Sequence, residues 1–568
     1  MRQLSTSVAF TVLIGFMLVH SAVGLSAPTP DKLTQSNSCI KAGAAAVLTD
    51  RELKDYRSLK SELEAALPNH TPTPAEDRLL RAAVTGTTAW GGDCAGEKDP
   101  SNDVAHAENW GPDRTVDAKL IRWLVVDHDA VQRVTSSGID LRAARIAGTL
   151  YLSNTVVPFP MIIAHCLMDD INLSDAETRT MDFHGSSINN LTGQGVSVNG
   201  DLLINGGLTA AGSVDLTDAK IDGDLRCNGA HFKKTPESIA VALAQIKRNA
   251  YFNKADTLGK IRLNRSTING DLDFNDARFL ATENADHGGS GPAPTAAQLQ
   301  AAFVSVGGTL FWQRVSLSPA TLIDLSSTSV GTLWDDESDW PSSPFLYLDG
   351  FVYRKIAAEA PMTASRRLEW LRRQPKNFRP QPYQQLAHVF EQAGQQGDAT
   401  AVRVASEQEA YESAEAGNLT SEGIRFWSFL LRWTIGYGYR PFLALIPIVF
   451  FVLLGTALFW SGYRRGVLTP VDKDAAEYFE KVRQVKSNPQ LSVPSPPAGY
   501  QPFNAFFYSL ESFLPLVKLH QEDYWLPNAA LKRKWGAGLR YYLWIHILAG
   551  WFFSAMLVAG VTGRVHSQ

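Results

Sequence analysis

Between about Ser136 and Asp349, apolar and polar residues alternate over short runs, and glycine, asparagine or aspartate interrupts the runs at regular intervals. The clearest copy runs from Val214 to Phe232, with Val214, Leu216, Ile221 and Leu225 apolar and Gly223-Asp224-Leu225 near its middle. A second runs from Ile261 to Phe279, an earlier one from Ile139 to Leu152, and a trimmed one from Leu322 to Trp334. The consensus is apolar-x-Leu, a short gap, Ile, then Gly-Asp-Leu. Alternation with a period of two is the mark of a strand. The interrupting residues are those that turn corners. No run is long enough to stand alone, so the pattern predicts stacked coils that share one apolar interior. A parallel β-helix with coils of about 18–20 residues and three or four short sides fits the spacing. Leu216, Ile221 and Leu225 are then inward, Asp215, Lys220, Asp222 and Asp224 outward, and Ala219 and Ala277 at tight corners. Gly200-Asp201-Leu202 and the Gly307–Trp312 run each precede a copy, so a double coil of about 36–40 residues is the alternative unit. Residues 233–250 read as a short amphipathic helix. Residues 281–297, rich in glycine and proline, read as a flexible loop.

The flanks carry helical spacing. Leu53, Tyr56, Leu59, Leu63 and Leu67 lead to Leu79, Leu80 and Val84, and then to Leu120, Ile121, Leu124 and Val125. An open β-helix end exposes unpaired edge groups, so residues 48–134 are expected to form a helical cap on a β-helix spanning 135–355. Residues 85–115 within it read as loop. Residues 362–420 predict a helical hairpin, a spacer or a single tetratricopeptide-like unit. Phe442–Trp460 and Leu543–Val561 are apolar runs long enough to cross a bilayer, the second interrupted only by His546. Transmembrane helices are placed at 441–462 and 542–562, with Trp460, Tyr463, Tyr541, Tyr542 and Trp544 as interfacial anchors. The fold class expected is mainly β: a parallel β-helix solenoid with an N-terminal helical cap, a C-terminal helical hairpin and two transmembrane helices.

The first residues read as a signal peptide over 1–24, with Arg2, an apolar Val8–Val19 core and small residues at Ala22 and Gly24. A polar tether over 25–47 follows. Lys and Arg flanking 463–540 outnumber those on the other side of the two spans, which makes that loop cytoplasmic and the β-helix extracytoplasmic, periplasmic in a bacterium. Within the loop, 503–520 is too short to span and is expected to be amphipathic or re-entrant. Export places Cys39 and Cys94 where they can pair as a disulfide. Cys227 falls on an inward position, and Cys166 carries no assignment.

Net charge, −4 over 568 residues, excludes a general nucleic-acid binder. There is no dinucleotide fingerprint, phosphate-binding loop, nucleophile elbow or Cys-x-x-Cys pair. The aspartates after glycine are expected to satisfy turn N–H groups rather than to catalyse. Asp335, Asp336, Glu337 and Asp339 read as a solvated acidic turn, with calcium binding as the alternative. His520 with Glu522 and Asp523 lacks the spacing of a metal site. No catalytic residue, metal or cofactor is therefore assigned. Glu511, Pro515, Lys518 and His520 are the candidate functional residues of the membrane segment. A span, a re-entrant stretch and a second span match a channel outline, but Leu514-Pro515-Leu516-Val517-Lys518 stands where a glycine-rich filter would be needed.

The Gly223–Phe232 coil, the Leu333–Pro341 run, Leu348–Tyr353, Phe378–Ala387, Gly436–Pro441 and Phe507–Pro515 together resemble a family of bacterial β-helix membrane proteins, related in pattern to pentapeptide-repeat and bactofilin-like solenoids. Members are sometimes labelled membrane-associated oxidoreductases; no residues here support that activity. The resemblance implies an inner-membrane β-helix protein. The function expected is a non-enzymatic envelope scaffold or adaptor, whose partners are the membrane and a protein or glycan, with oligomerisation open. A carbohydrate-active or glycan-binding β-helix is the first alternative, and a channel-like component the second.

Overall fold

Two residues in each short stretch between Met181 and Phe279 face inward, and apart from the longer step from Ala230 to Ile239 they recur every five or six residues. Val214 and Leu216 are followed by Ala219 and Ile221, Leu225 and Cys227, then Ala230 and Phe232, all buried. Each pair forms one side of a coil. The computed structural model describes residues 40–41, 48–68, 70–280, 298–360, 362–413, 419–487, 492, 495, 497–531 and 533–562. In it the sides stack in parallel register, as in Leu202, Leu225, Ala250, Leu272 and Leu310. Two sides make sheets of nine strands each; the other two merge through the long Ser305–Trp312 strand into one sheet of sixteen. The chain is thus a four-sided parallel β-solenoid of about nine coils.

Successive coils are offset by 20 to 25 residues. The single offset of 38 spans the insertion at 281–297, which lies outside the described residues. The coil is therefore slightly longer than its sequence pattern implies, and the double coil is not the unit. The helix expected within 233–250 is also absent: Glu237–Ala240 and Gln245–Ile246 are strands. Ile239, Val241, Ala244 and Ile246 are two inward pairs, and their uneven spacing imitates one face of a helix. Ala219 and Ala277 are inward members of such pairs.

Packing between coils explains the Gly-Asp-Leu motif. A Cβ on Gly223 would lie 2.6 Å from the Gly200 carbonyl oxygen, and one on Gly270 would lie 2.7 Å from the Arg248 oxygen. Only glycine permits that approach. The next residue faces the following coil: Asp201 accepts from the Asp224 amide at 2.8 Å, and Asp224 from the Asn249 amide at 3.1 Å. The column continues with Asn249 accepting from Asp271 at 2.8 Å and Asp271 from Thr309 at 2.7 Å. The leucine then enters the core. Asp224 is buried by this arrangement, not outward, and it also pairs with Arg226 at 2.9 Å.

Helices stand at both ends. α1 (Asp50–Ala66), α2 (Pro74–Thr85), α3 (Ala118–Val126) and α4 (His128–Arg133) precede the first long strand. Thr49 and Thr73 open α1 and α2 with capping boxes to Glu52 and Glu76. Leu59, Leu79, Leu80, Leu120 and Leu124 join the apolar core of the coils. The region read as loop holds short strands and 3₁₀ turns, and Ile40–Lys41, inside the expected tether, pairs antiparallel with Cys94–Ala95. Residues 1–39 lie outside the described residues, so the signal segment and Cys39 do too.

At the other end follow α5 (Ala364–Leu371), α6 (Pro380–Gln392) and α7 (Gln396–Ser413). Gln381 and Gln385, one turn apart on α6, reach the last coil: Gln381 accepts from the Gly350 amide at 2.8 Å and Gln385 donates to the Tyr353 carbonyl at 2.7 Å. Rings continue the core outward, with Phe274 against Trp312 at 5.5 Å, Trp312 stacked on Trp340 at 4.9 Å and Trp340 against Trp370 at 5.9 Å. Of the acidic turn, Asp336 is exposed and Glu337 and Asp339 are half-buried, but Asp335 is not solvated. Asp335 and Arg367 have fully buried side chains and form two bonds of 2.7 Å, and Trp340 Nε1 donates to Asp335 at 2.7 Å. Glu337 pairs with Arg366 at 3.2 Å, and Asp336 caps its own turn. Sequence spacing could not reveal the arginine 32 residues downstream.

Breaking a buried pair leaves an uncompensated charge, so Arg367→Ala is expected to lower stability by about 3–5 kcal/mol. Asp335→Leu with Arg367→Met should cost clearly less than that single change. Denaturant unfolding in detergent, followed by tryptophan fluorescence, measures both.

Candidate functional site

Beyond α7 lie α8 (Leu419–Ile435), α9 (Leu445–Arg464), α10 (Lys473–Ser487), α11 (Ala505–Phe513) and α12 (Arg533–Val561). Two segments, Pro441–Arg464 and Lys534–Val561, are long and apolar enough to cross a membrane. At 28 residues the second exceeds the length that about 30 Å of hydrocarbon requires. Its first turns extend past the apolar run at Leu543. Trp460, Tyr541 and Trp544 are exposed along the two helices. Tyr463 and Tyr542 are not: Tyr463 stacks on Phe503 at 4.8 Å, and Tyr542 packs on His546 at 5.3 Å.

The most constructed site lies between these helices. Asn504 caps α11, accepting from the amides of Phe506 at 3.0 Å and Phe507 at 3.2 Å. The helix then enters the space between α9 and α12. Ser509 donates to the Val452 carbonyl at 2.8 Å, and His546 Nε2 donates to the Ser509 carbonyl at 3.1 Å. Tyr542 donates to His546 Nδ1 at 3.2 Å, which fits the same tautomer. Val452 and His546 each lie well inside their own helix, so α11 sits at the depth of the apolar segments. Two glycines make room. A Cβ on Gly455 would fall 2.3 Å from Ser509 Oγ, and one on Gly550 would fall 1.7 Å from the Phe513 carbonyl oxygen. Small residues at close helix contacts are the rule in membranes.

After Phe513 the chain returns, and Glu511 holds the return in place. Its Oε1 accepts from the amides of Leu519 at 3.0 Å and His520 at 2.8 Å; its Oε2 accepts from Gln521 at 2.7 Å and Glu522 at 3.3 Å. Four successive N–H groups thus converge on one carboxylate, a nest of the kind that binds anions. His520 adopts a φ of 62° within it. The loop then meets Trp525–Pro527, which pairs antiparallel with Leu468–Pro470. Trp525 is buried among Tyr463, Phe479, Tyr500 and Phe503.

Of the residues singled out by sequence, Glu511 and His520 meet, but through the His520 backbone. The His520 ring pairs with Asp523 at 2.8 Å on the exposed side. Pro515 is half-buried, Lys518 is exposed, and Leu516 between them is 92% exposed. Ser509, Gly455 and Gly550 were not singled out. Their only signals were small residues inside apolar runs, while His546 was visible as the one titratable side chain within the second run. The loop turns N–H groups toward Glu511, whereas a cation filter needs a row of carbonyl oxygens.

Elsewhere, Cys94 is disulfide-bonded, and Cys39, its expected partner, lies outside the described residues. Cys166 and Cys227 are free and buried, and burial pushes the Cys166 thiol up to about 12. Such thiols are inert. A groove of about 530 Å³ runs between the last coils and α6, with Gly307, Gly308 and Gly331 on the coil side and Arg354, Lys355 and Gln392 among its other walls. Comparison with known proteins finds no matching family model, no matching curated protein and no matching solved structure.

Glu511→Ala removes the one acceptor that four amides share. Bonds to a charged acceptor contribute about 1.5–3 kcal/mol each, so amide exchange at 519–522 is expected to accelerate by at least about tenfold. Hydrogen–deuterium exchange with mass spectrometry checks this, with peptides from the coils as the unchanged control.

Proposed function

We propose that the protein is a non-enzymatic, membrane-anchored scaffold or adaptor that holds a rigid solenoid surface beside the bilayer for protein or glycan contact. The observation that carries this reading is mechanical. One apolar core runs without a break from Tyr56 in α1 to Val402 in α7. α7 then enters a second core, where Tyr411 stacks on Tyr437 at 5.7 Å and Val404 packs against a cluster that holds Ile435 of α8 and Met556 of α12. A solenoid joined to its anchor in this way behaves as an arm. The N-terminal helices act as a cap on the first coil, and α6 with α7 acts as a spacer hairpin on the last. The corner carboxylates are committed to holding coil to coil, which argues against the lyase or hydrolase reading of a β-helix. The groove bearing Arg354 and Lys355 suits an anionic partner, a glycan acid or an acidic segment of a protein.

In this reading the solenoid is extracytoplasmic, the two spans cross the inner membrane of a bacterium, and 463–540 faces the cytoplasm, as the flanking charges favour. The resemblance to bacterial β-helix membrane proteins fits the same arrangement. α8 exposes Phe426, Trp427, Phe429 and Trp433, the composition of a helix lying in the membrane interface. A second reading, a channel-like component, draws support from α11 seated between the two apolar helices. The loop after it, with Pro515 and Lys518 and its amides turned inward, speaks against cation conduction.

Phosphatase fusions test the placement. Activity is expected for a periplasmic reporter joined after residue 420 and none for one joined within 470–500; the reverse pattern overturns the topology. Photo-crosslinking residues at Arg354 and Lys355 should give a discrete adduct in cells that the same probe at Lys220 does not. Equal labelling at all three positions removes the adaptor reading.

A further inference from the structure

At the start of the solenoid, two histidines stack in one corner column. The His165 amide donates to the His184 carbonyl at 2.9 Å, and their rings meet edge to face at 5.1 Å. Gly185, with φ at 65°, leaves the space the His165 ring fills; a Cβ there would lie 2.6 Å from the ring. Glu97, from the segment just after Cys94, reaches over both. Its Oε1 lies 3.5 Å from His184 Nε2, and its Oε2 lies 3.7 Å from His165 Nε2.

We propose that Glu97, His165 and His184 form a site for a divalent first-row transition metal ion, zinc by preference, which fastens the N-terminal segment to the solenoid. Three observations converge. The ligand atoms lie within 4.8 Å of one another. Zinc bonds of about 2.0–2.1 Å in a tetrahedron set ligand atoms roughly 3.4 Å apart, close to the two distances that Glu97 makes. The second shell is in place: Asp182 holds His184 Nδ1 at 2.8 Å, which fixes the ring and turns Nε2 toward Glu97. The local charge also suits a dication. Arg142 bonds Asp140 at 2.8 Å and contacts Glu97, so Glu97, Asp140 and Asp182 against one guanidinium leave two negative charges beside the two imidazoles. Two imidazoles and a carboxylate select zinc and its neighbours over magnesium or calcium. Three protein ligands leave a fourth position for water or a ligand group from outside.

The ligands share no spacing motif along the chain: Glu97 lies far from the histidines, and His165 and His184 are one coil apart.

The full-length protein in detergent, stripped with chelator, is titrated with Zn²⁺ in competition with a chromophoric chelator and separately with Co²⁺. One equivalent is expected to bind, with a tetrahedral Co²⁺ spectrum. Asp182→Asn should weaken Zn²⁺ by about 10–100-fold, and His184→Ala and Glu97→Gln should each weaken it by at least tenfold. Glu97 lies outside the coils, so that variant keeps the solenoid intact, and circular dichroism confirms the fold of all three. Folded wild type that takes up no Zn²⁺, or Glu97→Gln and His184→Ala variants that bind as tightly as wild type, would overturn the site and leave an ion-pair network centred on Arg142.

Discussion

Successive coils in this protein lie one strand spacing apart, about 4.8 Å, and most of its sequence pattern answers to that distance. At such a separation a backbone corner can pass over another only if one of them carries no Cβ, which Gly223 and Gly270 provide. The same closeness lets one side-chain oxygen reach the amide of the next coil, which Asp201, Asp224, Asn249 and Asp271 do in turn. Inside, paired residues such as Leu225 and Cys227 lie above Ala250 and Phe252. Bulk in one coil is therefore accommodated by smaller neighbours in the adjacent one. A buried polar column and a buried apolar column thus grow together, and neither is complete within one coil.

A stack of this kind has no natural end, and the chain spends many residues ending it. Helices precede the first coil, and their leucines join the same core. The last is met by Gln381 and Gln385, whose side chains take the place of a further strand. Asp335 and Arg367 then tie the last coils to α5 in a setting where water cannot compete. Such a pair contributes more to fixing one arrangement than to net stability.

The β-helix and the two apolar helices were legible because they rest on period and length, which survive in a single sequence; the choice of four sides over three was not. That the aspartates after glycine accept from backbone N–H groups could be read, but not that those amides belong to the next coil or that Asp224 is buried. What escaped depended on contacts distant along the chain. Asp335 read as solvated because its partner is on another element. Glu511 stood out as a charge in an apolar stretch, but its use as an acceptor for the loop amides needs the chain to fold back. His165 and His184 are one coil apart, and coil lengths vary too much for the column to be counted. The short inward pairs at 239–246 read as a helix because two periods overlap over so few residues.

α7 contributes Ala399 and Val402 to the core of the solenoid, and its Val404 and Tyr411 pack on the cluster that joins α8 to the two long apolar helices. A single helix thus spans the junction where a linker would be expected. Nine strand spacings give an arm of about 40 Å. With the joint stiff, a tilt of about 10° in the anchoring helices would sweep the far end of the arm through roughly 7 Å, a lever ratio set by that length. Bilayer thickness and helix tilt are coupled, so in the proposed anchored arrangement the reach of the distal coil becomes a readout of membrane thickness.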